Sequence, residues 1–220
     1  INADLMIGLP KQTIEDVEKA VNDLIKLGLE HISVYSLILE EGTVLEEQIR
    51  SGKLKLPEDE KEREMYWKVK SILEANGYIH YEISNFAKKG YESQHNLDCW
   101  RQKEYVGFGV AAHSYTNDVR YSNIENLEEY IENYENDKLE ETFIFNEKLT
   151  HNMKVKEYMM LGLRKLNGVS IQEFKEKFAA NPIHVFKNEL EKLVNEDLLE
   201  IDGDYIRLTK RGLDLANLVW

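Results

Sequence analysis

Apolar positions at the start of the chain form two strand-like runs separated by one helix-like segment. Residues 1–7 and 31–39 are rich in apolar side chains, which predicts buried strands. Residues 14–27 carry apolar side chains at the spacing of one helix face. Thr13, followed three residues later by Asp16, predicts a capping box at the start of that helix. The segment therefore predicts a β–α–β unit with parallel strands and a right-handed crossover.

Helix and strand patterns continue to alternate as far as residue 115. A helix is predicted at residues 58–76, a strand at 78–86 and a polar, irregular segment at 90–102. Residues 105–115 are apolar and rich in Gly and Ala, which predicts a strand that a ligand or another element can approach closely. This order predicts the α/β class, as the later portion of a barrel or of a doubly wound sheet.

The last third of the chain changes to a mainly helical pattern. Helices are predicted at residues 148–166, 170–178 and 182–197, with a final one from Thr209. Asp202-Gly203, between two short apolar runs, predicts a hairpin. These elements predict a winged-helix-like module, and we divide the chain into domains at residues 1–147 and 148–220.

Charge and hydropathy narrow the functional classes. The formal net charge is −13, and the third helix of the module carries more Glu and Asp than Lys, which disfavours contact with phosphate backbones. We therefore expect no nucleic-acid partner and interpret the module as a packing or lid element. No apolar run reaches the roughly 18 residues of a membrane span, and no signal-peptide pattern opens the chain. Ile1 lies inside an apolar run, which we interpret as a start within a domain.

Cys99 is the only cysteine in the sequence. A disulfide within the chain is excluded, and so is an iron–sulfur cluster held by three or four of the chain's own thiolates. A chain without disulfides is typical of a reducing compartment, so we expect a cytoplasmic protein.

Two segments carry candidate chemistry. Asp4 lies in an apolar strand, where a buried carboxylate needs a partner: either a ligand at the strand end or a neighbouring loop that it caps. His95 and Asn96, followed closely by Trp100, bring together an imidazole that can ligate haem iron and an aromatic ring that can cover a macrocycle. The alternative is a surface loop anchored by Trp100.

The remaining candidates have simpler interpretations. His113 ends the Gly- and Ala-rich segment. A lone histidine at such a place is more often a core residue than a ligand, so we expect a core histidine. A zinc site of His95, Cys99 and His113 would have no recognised spacing. Glu82 and Ser84 would share one face of the predicted strand, either towards a site or by ordinary alternation. Four other histidines are interpreted as structural: His31, His80, His151 and His184.

Five segments of the chain resemble, in order, motifs of one family, the radical S-adenosylmethionine (SAM) oxygen-independent coproporphyrinogen III oxidases. Within that family they resemble the HemW-like haem-chaperone branch. The strand and turn at residues 4–13 resemble the motif DLIxGLPxQT, and residues 31–43 resemble HISxYxLxxExGT. The other three are YEISNFA at residues 81–87, HNxxYW at residues 95–100 and GxGxGAHS at residues 107–114. The resemblance covers almost the whole chain.

The resemblance implies a partial (β/α) barrel whose CxxxCxxC loop binds a [4Fe–4S] cluster that SAM completes. The cluster ligands would lie upstream of Ile1, so we expect no metal ligand and no catalytic residue of that chemistry within this chain. Asp4 matches the strand-end Asp expected near SAM, and Met6 and Ile38 match apolar positions expected against its adenosine. None of these cofactors is expected to be needed for the chain to fold.

The resemblance also implies a substrate side of the cavity. His95, Asn96, Trp100 and His113 match segments that face it, and the chaperone branch associates the HNxxYW segment with haem. Cys99 stands where that motif has Tyr, and a thiol can act as a soft iron ligand.

Two activities remain open for the full-length protein. One is a haem chaperone that binds haem and passes it to respiratory enzymes, working in the cytoplasm or at the membrane periphery during delivery. The other is an oxidase that decarboxylates two propionates of a porphyrinogen. The expected partners are accordingly haem or a porphyrinogen and, for the chaperone, haem-receiving proteins.

Overall fold

The computed structural model describes residues 1–219 and contains two compact units, which are described separately. Unit 1 comprises Ile1–Ser93 and Leu208–Ala216. Unit 2 comprises Gln94–Arg207 and the described residues from position 217 onwards. The units divide after Ser93, whereas the predicted domains divide after residue 147, so the domain assignment stays a prediction.

Unit 1 is built on a mixed four-stranded sheet with the order β1-β2-β4-β3. Its elements in chain order are β1 (Asn2–Ile7), α1 (Ile14–Lys26), β2 (His31–Ser36), α2 (Val44–Arg50), α3 (Asp59–Ala75), β3 (Tyr78–Glu82) and β4 (Asn85–Lys88). The capping box of Thr13 and Asp16 is present, and β1 and β2 pair in parallel, which confirms both predictions.

One face of this sheet forms the core of unit 1. Alternate residues of β1 and β2 point into it, because side chains along a strand alternate between the two faces of the sheet. These residues pack with the apolar faces of α1 and α3; they are Leu5, Ile7, Ile32 and Val34. The opposite face carries the polar and exposed residues of the same strands, which makes it the candidate ligand face.

Residues 78–86 do not form the single strand that was predicted. The chain reverses at Ile83 and Ser84, and β4 runs antiparallel to both β3 and β2. Glu82 is buried at the end of β3, while Ser84 lies in the turn and donates its backbone N–H to Glu82 Oε1 at 3.0 Å. Neither turn residue is Gly, Asn or Asp, so the usual sequence signal for a hairpin is missing.

Unit 2 contains two three-stranded sheets, with the orders β5-β6-β7 and β8-β10-β9. The elements from residue 94 onwards are α4 (Gln94–Trp100), β5 (His113–Thr116), β6 (Val119–Asn123), α5 (Leu127–Glu135), β7 (Phe143–Lys148), α6 (His151–Gly162), β8 (Val169–Ser170), α7 (Ile171–Phe178), α8 (Pro182–Val185), α9 (Lys187–Asn195), β9 (Leu199–Asp202), β10 (Tyr205–Leu208) and α10 (Lys210–Asp214). The helices from α6 onwards and the β9–β10 pair confirm the winged-helix-like pattern. The last helix, α10, packs within unit 1, where Asp214 accepts hydrogen bonds from Arg63 and Trp67.

Three other predictions were wrong in detail. The segment at residues 90–102 is not irregular throughout, since it contains α4. Residues 105–115 are not a strand: an isolated bridge joins Tyr105 to Tyr115, and β5 begins only at His113. The helix predicted at residues 182–197 is interrupted at Phe186.

Candidate functional site

The first group of candidate residues lies on the open face of the unit 1 sheet. Asp4 and Met6 alternate with the buried Leu5 and Ile7, so they share this face. Met6 is 45% exposed, and Tyr35, its register partner on β2, is 41% exposed. Ile38 follows the end of β2 and is 76% exposed. The face of the two strands thus presents one carboxylate and two accessible side chains, those of Met6 and Tyr35, while Ile38 lies beyond the end of β2.

Asp4 is exposed, not buried, which corrects the expectation of a buried carboxylate in an apolar strand. The reason is strand alternation, since the apolar neighbours of Asp4 face the helices while Asp4 faces away from them. Asn2 Nδ2 donates to Asp4 Oδ1 at 2.8 Å. Within the described residues, Asp4 makes no other hydrogen bond, so its second carboxylate oxygen remains available to a hydroxyl or ammonium donor. This combination can receive a ligand that joins a hydroxyl or ammonium donor to an apolar ring.

Polar residues lie beside Asp4, and one of them, His31, had been interpreted as structural. The His31 Nδ1 and Asn2 Oδ1 atoms are 2.7 Å apart, and Ser33 Oγ donates to the same oxygen at 3.3 Å. On its other side, His31 Nε2 lies 2.8 Å from the Tyr81 hydroxyl. The signal that could have found His31 is the same alternation: it precedes Ser33 and Tyr35 by two and four residues on β2.

The second group of candidate residues lies on α4 in unit 2. His95 is exposed, and its Nε2 atom is 3.9 Å from Cys99 Sγ, one helical turn further on. Asn96 is half-buried and shares the exposed start of the helix. Because residues four apart lie on the same helix face, the imidazole and the thiol can both be presented to one ligand. This arrangement differs from the irregular loop that had been predicted.

Electrostatics favour His95 over Cys99 as a ligand. Burial raises the pKa of the Cys99 thiol, and the negative charge of Asp98 raises it further. The thiolate is the form that binds metals, so a raised pKa makes Cys99 a poorer ligand at neutral pH. Asp98 itself stays ionised, because a hydrogen bond from Lys103 at 2.7 Å lowers its pKa. An imidazole nitrogen binds a metal without the loss of a thiol proton, and His95 is exposed.

Trp100 is anchored within unit 2. The guanidinium of Arg164 lies over the Trp100 ring, 4.4 Å from its centroid, so one ring face is already covered. The residues after α4 are also held, since Gln102 Nε2 donates to Glu157 Oε2 at 2.9 Å and to Lys154 O at 3.2 Å. Arg120 forms an ion pair with the same Glu157. These contacts fasten the C-terminal end of α4 to α6 and leave His95 at the accessible end.

His113 is exposed at the start of β5, which corrects the expectation of a core histidine. Its backbone is the part that packs closely: a Cβ added to Gly107 would clash with the His113 carbonyl oxygen. The Gly107 N–H donates to Ser114 Oγ at 2.9 Å. The Gly-rich segment therefore serves a close approach between two stretches of backbone, the second of the two roles that its composition predicted.

The described residues contain neither a metal-ligand cluster nor a helix that could span a membrane. Within residues 1–219, no three His, Cys, Asp or Glu side chains are grouped so that they could hold a metal ion, and the zinc alternative of His95, Cys99 and His113 has no geometric support. In that same part of the chain, no helix has both the length and the apolar character needed to span a bilayer.

Comparison with known proteins finds relatives along the whole chain. Residues 149–215 match the family model described as the HemN C-terminal domain. Over its whole length the chain is 38% identical to the heme chaperone HemW of Lactococcus lactis and 40% identical to that of Bacillus subtilis, of which it covers 57% and 58%. The chain is thus similar to HemW proteins along its whole length and to HemN over its C-terminal part. This confirms the resemblance drawn from the five motifs.

The fold of this chain is similar to that of a HemN protein. The structure of HemN from Escherichia coli, described as a coproporphyrinogen III oxidase and radical SAM enzyme, aligns with a TM-score of 0.77 at 19% identity. The match covers 99% of this chain and 53% of that one. It confirms the predicted fold class, with an open sheet in place of a closed barrel. The chain spans little more than half of the HemW and HemN proteins it matches, and the roles of its individual site residues stay predictions.

Proposed function

We propose that this chain is the part of a HemW-like haem chaperone that presents haem-binding residues on α4, in a cytoplasmic protein whose full length also carries SAM and a [4Fe–4S] cluster. One observation carries the proposal: His95 is exposed on α4 with Cys99 one helical turn away. The names of the two HemW relatives, which align along the entire chain, support it.

The residues fit the proposed cofactors to different degrees. An accessible imidazole suits haem iron, and the open sheet face with Asp4 and Met6 suits a ligand that combines hydroxyl or ammonium donors with an apolar ring. The [4Fe–4S] cluster needs at least three thiolates, and the chain holds a single cysteine, so its ligands belong to another part of the full-length protein. When bound, the cluster would supply the electron for reductive cleavage of SAM.

A hemin titration followed at the Soret band tests the haem site. We expect saturable binding at one site and at least a tenfold loss of affinity in His95→Ala, because an exposed imidazole is the best available iron ligand. The matched control is His184→Ala, which removes another exposed imidazole of unit 2. Equal affinities for the two variants would contradict the assignment of His95. Cys99→Ala is expected to change affinity less than His95→Ala does.

The alternative activity is oxidative decarboxylation of a porphyrinogen, and the fold shared with HemN is the observation that favours it. A product assay on the full-length, cluster-loaded protein distinguishes this activity from that of a chaperone. The chaperone is expected to bind hemin and to form no decarboxylated porphyrin. SAM consumption in step with a divinyl product would favour the oxidase.

A further inference from the structure

The open face of the unit 1 sheet contains a continuous chain of hydrogen bonds that ends on Asp4. It begins at the backbone N–H of Ser93, which donates to the Tyr81 hydroxyl at 3.2 Å. From there it passes through His31 and Asn2, with links of 2.8 and 2.7 Å, and reaches Asp4 Oδ1 through a bond of 2.8 Å. The chain links β3, β2 and β1, and four of its members are side chains.

The donor and acceptor chemistry of the side chains determines the direction of each hydrogen bond. Asn2 Oδ1 can only accept, so His31 Nδ1 must carry a hydrogen. Burial lowers the pKa of the His31 imidazole, partly opposed by the charge of Asp4, and the ring is therefore neutral with Nε2 as an acceptor. The Tyr81 hydroxyl donates to that nitrogen, and burial raises its pKa to about 12. Every donor therefore meets an acceptor without a charge on His31 or Tyr81.

The geometry of the sheet makes the link across β4 possible. β4 lies between β2 and β3, and its residue in register with His31 is Ala87, whose small side chain covers little of the sheet. The register of β3 against β4 shifts between His80 and Glu82, so Tyr81 lies at a bulge. Bulges re-aim side chains, and here the Tyr81 ring meets the His31 ring edge-on at 5.7 Å between centroids.

We propose that His31 and Tyr81 are positioning residues, which hold the Asn2 amide so that Asp4 presents its second carboxylate oxygen to a hydroxyl or ammonium group of a nucleoside-type ligand. The proposal rests on the proposed function in taking SAM as that ligand. An exposed carboxylate held by one hydrogen bond would otherwise exchange between rotamers. Because Asn2 is tied to the buried His31 and Ser33, Asp4 is pre-organised before the ligand arrives.

SAM titration of the full-length, cluster-loaded protein by calorimetry tests the proposal. Tyr81→Phe removes the donor to His31 and is expected to weaken SAM binding roughly threefold to tenfold, as expected for one hydrogen bond. Asp4→Ala should weaken it at least as much. The matched control is Tyr78→Phe, which removes a hydroxyl from the same sheet that bonds to Leu29 O at 2.6 Å, outside the chain. It should bind SAM as the unaltered protein does.

A double variant separates positioning from a general structural effect. In the Asp4→Ala background, Tyr81→Phe should cause no further loss, because nothing remains to be positioned. The same loss with and without Asp4 would overturn the proposal, as would a wild-type protein that does not bind SAM or an Asp4→Ala variant that binds it unchanged. The ¹⁵N shifts of the His31 ring give a readout independent of SAM: the Nδ1–H tautomer supports the chain, and the Nε2–H tautomer overturns it.

Failure of this proposal is distinguishable from failure of the proposed function. Hemin binding by Tyr81→Phe is expected to match that of the unaltered protein, because Tyr81 belongs to unit 1 and the haem candidate to unit 2. Loss of the SAM effects with hemin binding intact would remove only the positioning role. Absence of hemin binding in the unaltered full-length protein would instead remove the chaperone assignment.

Discussion

The sheet of unit 1 and the helix α4 of unit 2 present candidate residues in opposite ways. On the sheet, Asp4 and Met6 stand on a strand whose other face is core, and neighbouring strands supply a hydrogen-bond chain. On α4, no residue is fully buried, and the helix is seven residues long. His95 lies at its accessible end, while Trp100 at the other end is covered by Arg164.

Because of this difference, the two regions differ in how far they can adjust when a ligand binds. A residue on a core-backed strand has its direction set by packing that a ligand does not alter, which suits pre-organised binding. A seven-residue helix without a buried residue has fewer buried contacts and opens more readily, as regions of low local stability do. We therefore expect the sheet face to act as a rigid site and α4 to adjust when a large ligand binds.

The largest expected effect on stability comes from removing a buried side chain of the unit 1 sheet. Phe86 is 0% exposed and its ring stacks on His80 at 4.2 Å between centroids. Phe86→Ala should lower the free energy of unfolding by about 3–5 kcal/mol, because a buried aromatic ring leaves a cavity. Chemical denaturation measures this, and Ile38→Ala is the control, since an exposed side chain should change the value by less than about 0.5 kcal/mol.

Hydrogen exchange of the Phe86→Ala variant sharpens the comparison further. Loss of protection should concentrate on β1 to β4. An equal loss over α4 would contradict the view that the two regions differ in their support.

A second effect uses pH to weaken the sheet through one buried side chain, that of His80. Burial lowers the pKa of His80 from its ordinary 6.5 to about 4, so between these values the unfolded chain binds more protons than the folded one. Stability should therefore fall as pH drops from 6.5 towards 4, by an amount on the order of 3 kcal/mol, since each pKa unit corresponds to about 1.4 kcal/mol.

Denaturation at several pH values measures this slope. His80→Gln removes the titration and should flatten the slope relative to the unaltered chain, while carboxylates that titrate in the same range contribute equally to both. Parallel slopes would show that His80 does not carry the effect.

The smallest expected effect concerns the backbone beside His113. Gly107→Ala brings a Cβ against the His113 carbonyl and within 2.9 Å of Ala112 Cβ, which should cost about 1–3 kcal/mol. Val106→Ala, at an adjacent position that is 52% exposed, is the matched control. Equal stabilities by thermal unfolding would show that the segment can move aside without loss.

Much of the fold and less of the site could be predicted from the sequence. Periodicity and capping signals predicted β1, α1, α7 and the β9–β10 pair, because each depends on residues close together in the chain. The turn at Ile83 and Ser84 escaped prediction, since the apolar pattern continues through it and neither residue is typical of a tight turn. Asp4 and His95 were candidates from their chemistry and position as well as from the resemblance, whereas the pairing of His31 with Tyr81 was not predicted.

By itself, the sequence determined the parallel β1–β2 unit, the winged-helix-like pattern, the resemblance to HemW proteins and the single thiol that excludes an own iron–sulfur cluster. Tertiary structure alone decided that Asp4 faces away from the core, that His113 is exposed and that His31 joins Tyr81 to Asn2. The physical reason is that spacing along a chain reports which residues share a face. Which residues of other strands meet them depends on sheet order and register, and these are set only when the strands pack together.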